Sequence, residues 1–322
     1  MQADFLIIQQ AVTPGQGEDS FAVSKKEEYL LLCAADGCGG LGSRRYLCGS
    51  TGASIASRTA VGVIENWQRA GEIPEDEEAA GFWLRELQFL LDNEFHRQAA
   101  DLCRDDSASR IVGSMQRTLP TTVCTLSADT AKARGAFFWA GDSRGYTLDA
   151  DGLHQYTRDD ARGNPDAYEG LLLDRPLTNF ICADRDTRLN GCGFALPEKG
   201  LLLCATDGVY NALPSPMELE MLLLDTLLHS FSMGSWKKEL EKALCLQPQD
   251  DTTLLLSPHG FTSFRDMQQY FRPRYRALKD EYIKPICRRN HEQDTVRALW
   301  QRYRIGYDRT EGIAHERTYW RV

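Results

Sequence analysis

The stretch CAADGCGGLG, residues 33–42, ends an apolar run with Asp36 and then places four glycines in six positions. Three interpretations are open: a glycine loop that cradles a phosphate, a bare hairpin turn, or a turn that holds a carboxylate against a metal ion. The segment GCGGLG matches the weak G-x-G-x-x-G pattern, but the lysine of a P-loop does not follow it. Because Asp36 would point negative charge at a bound phosphate, a cation would have to lie between them.

Carboxylates also stand at the ends of several other short apolar runs. They are Asp142 in AFFWAGDSRG, Asp207 in LLLCATDGVYN, Asp250 and Asp251 in QPQDDTTLLLS, and Glu18 and Asp19 in GQGEDSFAV. A single Asp-Gly pair is usually a turn. A lone charge after an apolar run, however, is costly to bury unless it is paired or bound to a metal. Taken together, the set predicts an all-oxygen site that suits magnesium or manganese.

Length and composition predict a folded protein of one large domain or two smaller ones. The chain has 322 residues, of which 42% are apolar, and no apolar run approaches the roughly 20 residues of a membrane span. The first ten residues show no basic segment ahead of their short apolar stretch. The ten cysteines include no CxxC pair. We therefore expect a soluble cytoplasmic protein with reduced, mostly buried thiols and no membrane partner.

The charge is unevenly distributed along the chain. Residues 261–322 contain 14 Lys and Arg against 8 Asp and Glu, a net charge of +6, whereas residues 1–260 contain 23 against 38, a net charge of −15. The acidic body argues against nucleic acid as the main partner, because phosphate binding needs clustered cations. It is compatible with carboxylates that hold divalent cations.

The pattern of short elements predicts an α+β fold in which helices cover a sheet or a pair of sheets. Seven stretches within the first 260 residues have the length, content and punctuation of β-strands, for example YLLLCAA and GAFFWAGD. Between Arg44 and Arg117, apolar residues spaced three and four apart predict two long helices, separated by the acidic linker GEIPEDEEAAG. Residues 151–200 are rich in Asp, Arg, Gly and Pro, and are expected to form a flap with short pieces of structure.

The last 62 residues predict short basic helices, interrupted by Pro273 and Pro285. Two interpretations are open for this C-terminal extension, residues 261–322. In the first, its apolar faces pack on the acidic body. In the second, it is an arm that docks a partner such as a cognate kinase or its substrate.

The order of the motifs resembles that of the metal-dependent type 2C serine/threonine protein phosphatases. The series is EDSF, ADGCGG, PTTVCTL, AGDSRGY, ATDGVYN and DDTT, and it covers roughly residues 5–258. The resemblance implies a catalytic domain over residues 1–260 with two packed antiparallel β-sheets flanked by helices, followed by the helical extension. It also implies hydrolysis of phosphoserine and phosphothreonine in proteins, with a water shared between two Mn²⁺ or Mg²⁺ ions.

Carried over position by position, the resemblance implies a role for each carboxylate. Asp36 would bridge the two ions, and the Gly37 carbonyl and Glu18 would serve one of them. Asp19 would orient bound water. The remaining assignments are Asp207 and Asp250 for the second ion and Asp142 for a weaker third one.

Three positions depart from the family pattern. Pro14 stands where an arginine often grips the substrate phosphate, so Arg44 and Arg45 are the candidates to replace it. Asn211 stands where an aspartate usually holds the third ion, which is expected to weaken that ion most. Cys38 lies beside Asp36, but neighbouring carboxylates oppose thiolate formation, so a small loop residue is favoured over a nucleophile.

Two hypotheses of function follow. The first is a phosphatase whose partners are a phosphorylated protein substrate and, as a further candidate, a cognate serine/threonine kinase. The alternative is a catalytically weak pseudophosphatase that binds phosphoproteins or a kinase. The retained carboxylates favour the first, because a site no longer used for metals would not need so many mutually repelling charges.

Overall fold

The computed structural model describes residues 5–68, 73–74, 77–104, 117–173, 175–244, 250–308 and 318–321. Two antiparallel sheets pack face to face, and helices cover both outer faces. The predicted fold class, α+β with two packed sheets and a helical C-terminal extension, is confirmed.

The first sheet has five strands and the second has six, all paired antiparallel. The first runs in the order β1 (Leu6–Gln10), β10 (Thr252–His259), β9 (Gly200–Ala205), β6 (Arg144–Leu148) and β7 (Leu153–Gln155). The second runs in the order β11 (Thr318–Arg321), β8 (Asn190–Ala195), β5 (Arg134–Ala140), β4 (Val123–Asp129), β3 (Tyr29–Ala35) and β2 (Ser20–Lys26).

Strand β3 shows why the central strands are apolar throughout instead of alternating. Leu30, Leu32 and Ala34 point into the core between the two sheets, together with Leu202 and Leu255 of the first sheet. The intervening residues Leu31, Cys33 and Ala35 point the other way, into the core beneath the helices. Both faces of this strand are covered, so the residues on each face are apolar and the sequence does not alternate with polar residues.

Two helices cover the outer face of the second sheet, as the apolar spacing predicts. They are α1 (Gly52–Gln68) and α2 (Glu77–Arg104). Leu84, Leu87, Leu91 and Phe95 of α2 are buried on one stripe. The last part of the expected acidic linker is already helical, since α2 begins at Glu77.

The remaining helices before the extension pack on or beside the first sheet. They are α3 (Ala167–Leu172), α4 (Asp207–Tyr210), α5 (Pro216–His229) and α6 (Met233–Leu244). Leu223 and Leu227 of α5 and Trp236 of α6 share one core with Leu203 and Leu254 of the sheet.

The helices of the C-terminal extension pack on this same side, and its last strand joins the second sheet. It forms α7 (Phe264–Leu278), a π-helical turn at Lys279–Ile283, α8 (Lys284–Arg288), α9 (Gln293–Tyr307) and strand β11, which pairs with β8. Phe271, Trp300 and Tyr307 are buried in the core of the first sheet. This supports packing on the body as the role of the extension, while the division of the chain at residue 260 stays a prediction.

A buried ion pair also anchors the extension. Arg274 of α7 donates to both carboxylate oxygens of Glu220 in α5, from Nε at 2.6 Å and from Nη2 at 2.9 Å. The Tyr303 hydroxyl of α9 donates to the same carboxylate, which is fully buried. The extension therefore supplies the partners of an acidic group on the body.

One detail of the prediction was wrong. Pro273 does not interrupt the extension, because α7 continues through it. The proline lies on the exposed face, and burial of Met267, Phe271 and Leu278 offsets its missing hydrogen bond. Residues 151–200, expected to form a flap with short pieces of structure, contain β7, α3 and β8, of which β8 is a strand within the second sheet. Within the described ranges, no helix is both long and apolar enough to cross a membrane.

Candidate active site

The carboxylates selected from the sequence meet at one end of the two packed sheets. Glu18 and Asp19 precede β2, Asp36 follows β3, Asp142 lies between β5 and β6, Asp207 follows β9, and Asp250 and Asp251 precede β10. A cavity of about 560 Å³ opens at this end. The acidic side chains that line it are Glu18, Asp36, Asp142, Asp207, Asp250 and Asp251.

Glycines allow the strand ends to approach this closely. A Cβ atom on Gly37 would lie 2.5 Å from the carbonyl oxygen of Ala53 and 2.8 Å from that of Glu18. A Cβ atom on Gly208 would lie 2.1 Å from the carbonyl oxygen of Asp251. The glycine in each Asp-Gly motif is therefore needed to bring the neighbouring carboxylates together.

The backbone of the Asp36 loop is fixed by the PTT motif, residues 120–122, which immediately precedes β4. The Asp36 carbonyl accepts from the Thr122 amide at 2.8 Å and from the Thr121 hydroxyl at 2.7 Å. The Cys38 amide donates to the Pro120 carbonyl at 3.1 Å. These bonds hold the Asp36 side chain in the cavity wall.

Asp19 is buried and lies between strands of both sheets. Its Oδ2 accepts from the hydroxyls of Thr206 at 2.9 Å and Thr253 at 2.7 Å, while Oδ1 has no hydrogen-bond partner among the described residues. Burial raises the pKa of Asp19 to about 6, against the lowering effect of the threonine hydrogen bonds. The threonines thus orient a carboxylate that the protein holds at an energetic cost.

Glu18 and Asp251 have different surroundings, although both line the cavity. Asp251 accepts backbone amides of Val12 at 2.9 Å and Glu18 at 2.6 Å, so it fastens β10 to the segment before β2. The Glu18 carboxylate accepts the Thr51 hydroxyl. Burial raises the pKa of Glu18, and the charge of Asp251 adds to that effect.

Asp142 is positioned through its backbone by an aromatic ring. Its carbonyl accepts the Tyr210 hydroxyl at 2.7 Å, and the guanidinium of Arg144 lies 3.7 Å from the centre of the same ring. Arg144 is buried and forms two hydrogen bonds with Asp159, at 2.9 and 2.7 Å. The arginine of the GDSR motif therefore supports the Asp142 loop from inside the protein.

Asp207 is the first residue of α4, and Asn211 lies one turn further on. Asn211 Nδ2 donates to Asp207 Oδ2 at 3.0 Å, whereas Asp207 Oδ1 is buried with no hydrogen-bond partner among the described residues. The residue that departs from the family pattern is thus in direct contact with a candidate ligand.

The carboxylates raise one another's proton affinity. Burial raises the pKa of Asp36 well above its usual value, and the charges of Asp19, Asp207, Asp142 and Asp250 raise it further. Burial and the charges of Asp142, Asp250 and Asp19 do the same for Asp207. Such repulsion is relieved by protons or by cations.

Cys38 does not have the surroundings of a nucleophile. Burial and the charges of Asp36, Asp142 and Asp207 hold its pKa well above the usual value for a thiol. A nucleophilic cysteine needs the opposite shift. The eight cysteines within the described ranges are all free thiols, and five of them are buried.

Arg44 and Arg45, the candidates for the phosphate, do not line this cavity. The Arg44 guanidinium lies over the ring of Tyr46, 5.1 Å from its centre. Arg45 donates to the Gly49 carbonyl and to the Gln16 side chain, both at 3.1 Å. Their assignment to the phosphate stays a sequence-based prediction, and the geometry gives it no support.

Sequence reasoning missed two sets of residues. Thr51, Thr206 and Thr253 donate to the carboxylates of Glu18 and Asp19, and Thr121 donates to the Asp36 carbonyl. Threonine at strand ends, as in the PTT and DDTT motifs, is the sequence signal for them. Arg117 and Arg175 line the cavity, but no motif marked them.

The architecture is shared with solved bacterial serine/threonine phosphatases. Stp1 from Staphylococcus aureus is 14% identical, with a TM-score of 0.61, covering 80% of this chain and 95% of that one. The S. agalactiae serine/threonine phosphatase is 17% identical (TM-score 0.57; 80% and 99% covered). PstP/Ppp from Mycobacterium tuberculosis is 15% identical (TM-score 0.55; 80% and 99% covered). At these identities the likeness establishes the fold.

The sequence itself assigns the family. Residues 15–245 match the family model of protein phosphatase 2C, which is more than two thirds of the chain. The chain belongs to the protein phosphatase 2C family, and its enzyme class is that of the protein serine/threonine phosphatases. Among functionally curated proteins, no relative matches the sequence significantly.

The family is metal-dependent, so the carboxylates can be tested for their fit to divalent cations. In the described part of the chain, no group of three His, Cys, Asp or Glu side chains is arranged so that it could hold a metal ion. The chemistry of the cavity nevertheless fits hard cations. Buried oxygens of Asp19 and Asp207 have no donor, and the pKa values of Asp36 and Asp207 are raised by like charges.

Proposed function

We propose that this chain hydrolyses phosphoserine and phosphothreonine in proteins with the help of two divalent cations, Mn²⁺ or Mg²⁺. One observation carries the proposal: carboxylates from five strand ends converge on one cavity, where the charges of neighbouring carboxylates raise the pKa values of Asp36 and Asp207. A protein gains no stability from such an arrangement, so a ligand of opposite charge accounts for it best.

In this proposal the two cations would be held by Asp36, together with Glu18, the Gly37 carbonyl, Asp207 and Asp250. Bound Mn²⁺ or Mg²⁺ supplies a water of lowered pKa and stabilises negative charge on the phosphoryl oxygens. Asp142 and Asn211 belong to a weaker third site, since an amide replaces a carboxylate there.

The chain's own residues fix the ligands before any substrate arrives. Threonine hydroxyls hold one oxygen of Asp19 and one of Glu18, and the other oxygen of Asp19 is buried without a hydrogen-bond partner among the described residues. Thr121 and Thr122 hold the backbone of Asp36. Because these bonds are made inside the protein, little reorganisation is needed at the moment of reaction.

The substrate in this proposal is a phosphorylated protein, and a cognate serine/threonine kinase is a second candidate partner. The cytoplasm is the proposed compartment, which the free thiols of the described cysteines support.

The test is hydrolysis of a phosphothreonine peptide across a Mn²⁺ titration, comparing the wild type with Asp36→Asn. We expect metal-dependent turnover in the wild type and a loss of at least about 1,000-fold in the variant, because several kcal/mol of charge stabilisation are removed. Asp280→Asn is the matched control, since Asp280 lies in the extension and pairs with the exposed Lys284.

Wild-type turnover no greater than that of Asp36→Asn, at any Mn²⁺ or Mg²⁺ concentration, would overturn the proposal. The pseudophosphatase hypothesis would then replace it.

A further inference from the structure

Two arginines line the acidic cavity on its loop side. Arg117 and Arg175 are the basic side chains among its described lining residues, and Leu41, Leu177 and Phe180 are its large apolar ones. Neither arginine forms an ion pair with a described carboxylate, whereas other arginines of the protein, such as Arg144 and Arg274, do. Two guanidinium groups therefore line the cavity without forming an ion pair with its described carboxylates.

The loop that carries Arg175 is fastened from both sides. The Arg162 amide donates to the Pro176 carbonyl at 3.0 Å, and the Thr178 amide donates to the Asp160 carbonyl at 2.7 Å. The Arg175 side chain is half-buried, and its Nη1 donates to the Arg162 carbonyl at 3.3 Å. The guanidinium is thus positioned before any ligand binds.

Part of this guanidinium is left for a ligand. The Nε atom of Arg175 is buried but has no hydrogen-bond partner in the described structure. A buried donor without an acceptor costs about as much as a lost hydrogen bond. An anion in the cavity would remove that cost.

Arg117 lines the cavity from the segment that precedes β4. Its amide donates to the Leu41 carbonyl at 3.0 Å, which ties it to the glycine loop after Asp36. Its side chain is exposed. The backbone of Arg117 is therefore held against the loop that presents Asp36.

We infer that Arg117 and Arg175 bind the phosphoryl group of the substrate. In the family pattern an arginine often has this role, but Pro14 stands at its position in this chain. The inference rests on the proposed function and names a part of the same site. A dianionic phosphate monoester is repelled by the lining carboxylates, so its free oxygens need cations beyond those that the carboxylates hold. The planar guanidinium fork suits phosphate oxygens in geometry as well as in charge.

The experiment compares Arg117→Ala, Arg175→Ala, their double variant, Arg175→Lys and Arg45→Ala with the wild type at saturating Mn²⁺. The matched control is Arg188→Ala, which removes an exposed arginine that lines a different pocket. The readouts are kcat and KM for a phosphothreonine peptide, the inhibition constant of inorganic phosphate, and the shift in thermal unfolding caused by Mn²⁺.

We expect each single variant to lose about 10- to 100-fold in kcat/KM, the usual effect of a hydrogen bond to a charged group. Phosphate inhibition should weaken by a similar factor, while the shift caused by Mn²⁺ stays as in the wild type. Arg175→Lys keeps the charge but not the fork, so it should recover only part of the loss. Arg175→Lys also takes the place of Arg175→Ala in the comparison if the alanine variant does not fold.

The inference is overturned if both single variants stay within about twofold of the wild type in kcat/KM and in phosphate inhibition. Loss in Arg45→Ala alone would return the role to the sequence-based candidate. Should the wild type show no turnover, the proposed function fails, and calorimetric binding of the phosphopeptide with Mn²⁺ decides this inference separately. Binding that is weakened in both arginine variants supports it, and binding that is equal in all variants overturns it.

Discussion

The interface beneath the C-terminal extension and the cavity at the strand ends both take carboxylates out of water, but they surround them differently. At the interface, Glu220 is fully buried, yet Arg274 and Tyr303 satisfy both of its oxygens. In the cavity, Asp36 and Asp207 are surrounded mainly by other carboxylates, and burial and like charges raise their pKa values.

The difference separates a structural carboxylate from a functional one. A buried charge that its own chain satisfies contributes to the docking of helices. A group of carboxylates that repel each other lowers the stability of the fold, and such a cost is expected where a ligand of opposite charge binds. Each of the following variants or conditions changes either the interface or the cavity.

The largest change in stability is expected at the interface. Arg274→Ala should lower the free energy of unfolding by about 3 to 5 kcal/mol, because it leaves Glu220 buried without its cation. Denaturant titration measures this, and Lys284→Ala is the control, since an exposed pair contributes at most about 1 kcal/mol. The folded fraction of Arg274→Ala should keep the wild-type KM. An unfolding free energy unchanged from the wild type would contradict the anchoring role of the pair.

A somewhat smaller effect is expected from pH in the metal-free protein. The pKa of Asp19 is raised to about 6 in the folded state, above the usual aspartate value of about 4, so the folded state binds more protons between these values. The contribution of Asp19 is therefore fully present below about pH 4 and is lost as the pH rises to about 6. The loss amounts to roughly 3 kcal/mol.

Denaturant titrations at pH 4, 5, 6 and 7 check this, and Asp19→Asn is the comparison. The variant should lack the part of the slope between pH 4 and 6 that belongs to Asp19. If the wild type and the variant have the same slope, Asp19 is not held in the way described.

The smallest effect is expected at Asn211. Asn211→Asp places a further carboxylate beside Asp207, where the amide now donates a hydrogen bond. We expect the Mn²⁺ concentration for half-maximal turnover to fall about three- to tenfold, a change of up to about 1.4 kcal/mol. Turnover against Mn²⁺ concentration measures it, with Asn290→Asp, on an exposed turn of the extension, as the control. An unchanged metal dependence would show that Asn211 has no influence on metal binding.

Much of the site could be predicted from sequence because local patterns encode it. Each carboxylate follows or precedes an apolar strand, and the strand ends of an antiparallel sandwich lie together at its two ends. The glycines after Asp36 and Asp207 mark the close approach that the structure shows. The family is indicated by the order of the motifs, which the spacing of the carboxylates alone does not indicate.

Other features depend on contacts between distant parts of the chain. Arg175 faces the cavity because hydrogen bonds between residues 160–162 and 176–178 fold its loop back, and no local pattern indicates those bonds. Strand β8 is short, and Gly191 and Gly193 dilute its apolar pattern, so its place beside β5 follows from the sheet and not from propensity. From sequence, Pro273 predicts a break in the helix, whereas the burial that offsets it involves Phe271 and the first sheet, which lie beyond any local pattern.

The most direct test of the central claim is thermal unfolding of the wild type and Asp36→Asn, each with and without Mn²⁺. If the strand-end carboxylates are held for cations, Mn²⁺ should raise the melting temperature of the wild type with a concentration dependence that follows binding. Without metal, Asp36→Asn should melt about 2 °C higher than the wild type, since it removes one repelling charge, and Mn²⁺ should raise it far less. A wild type that Mn²⁺ does not stabilise, or an Asp36→Asn variant that gains as much as the wild type, would contradict the account.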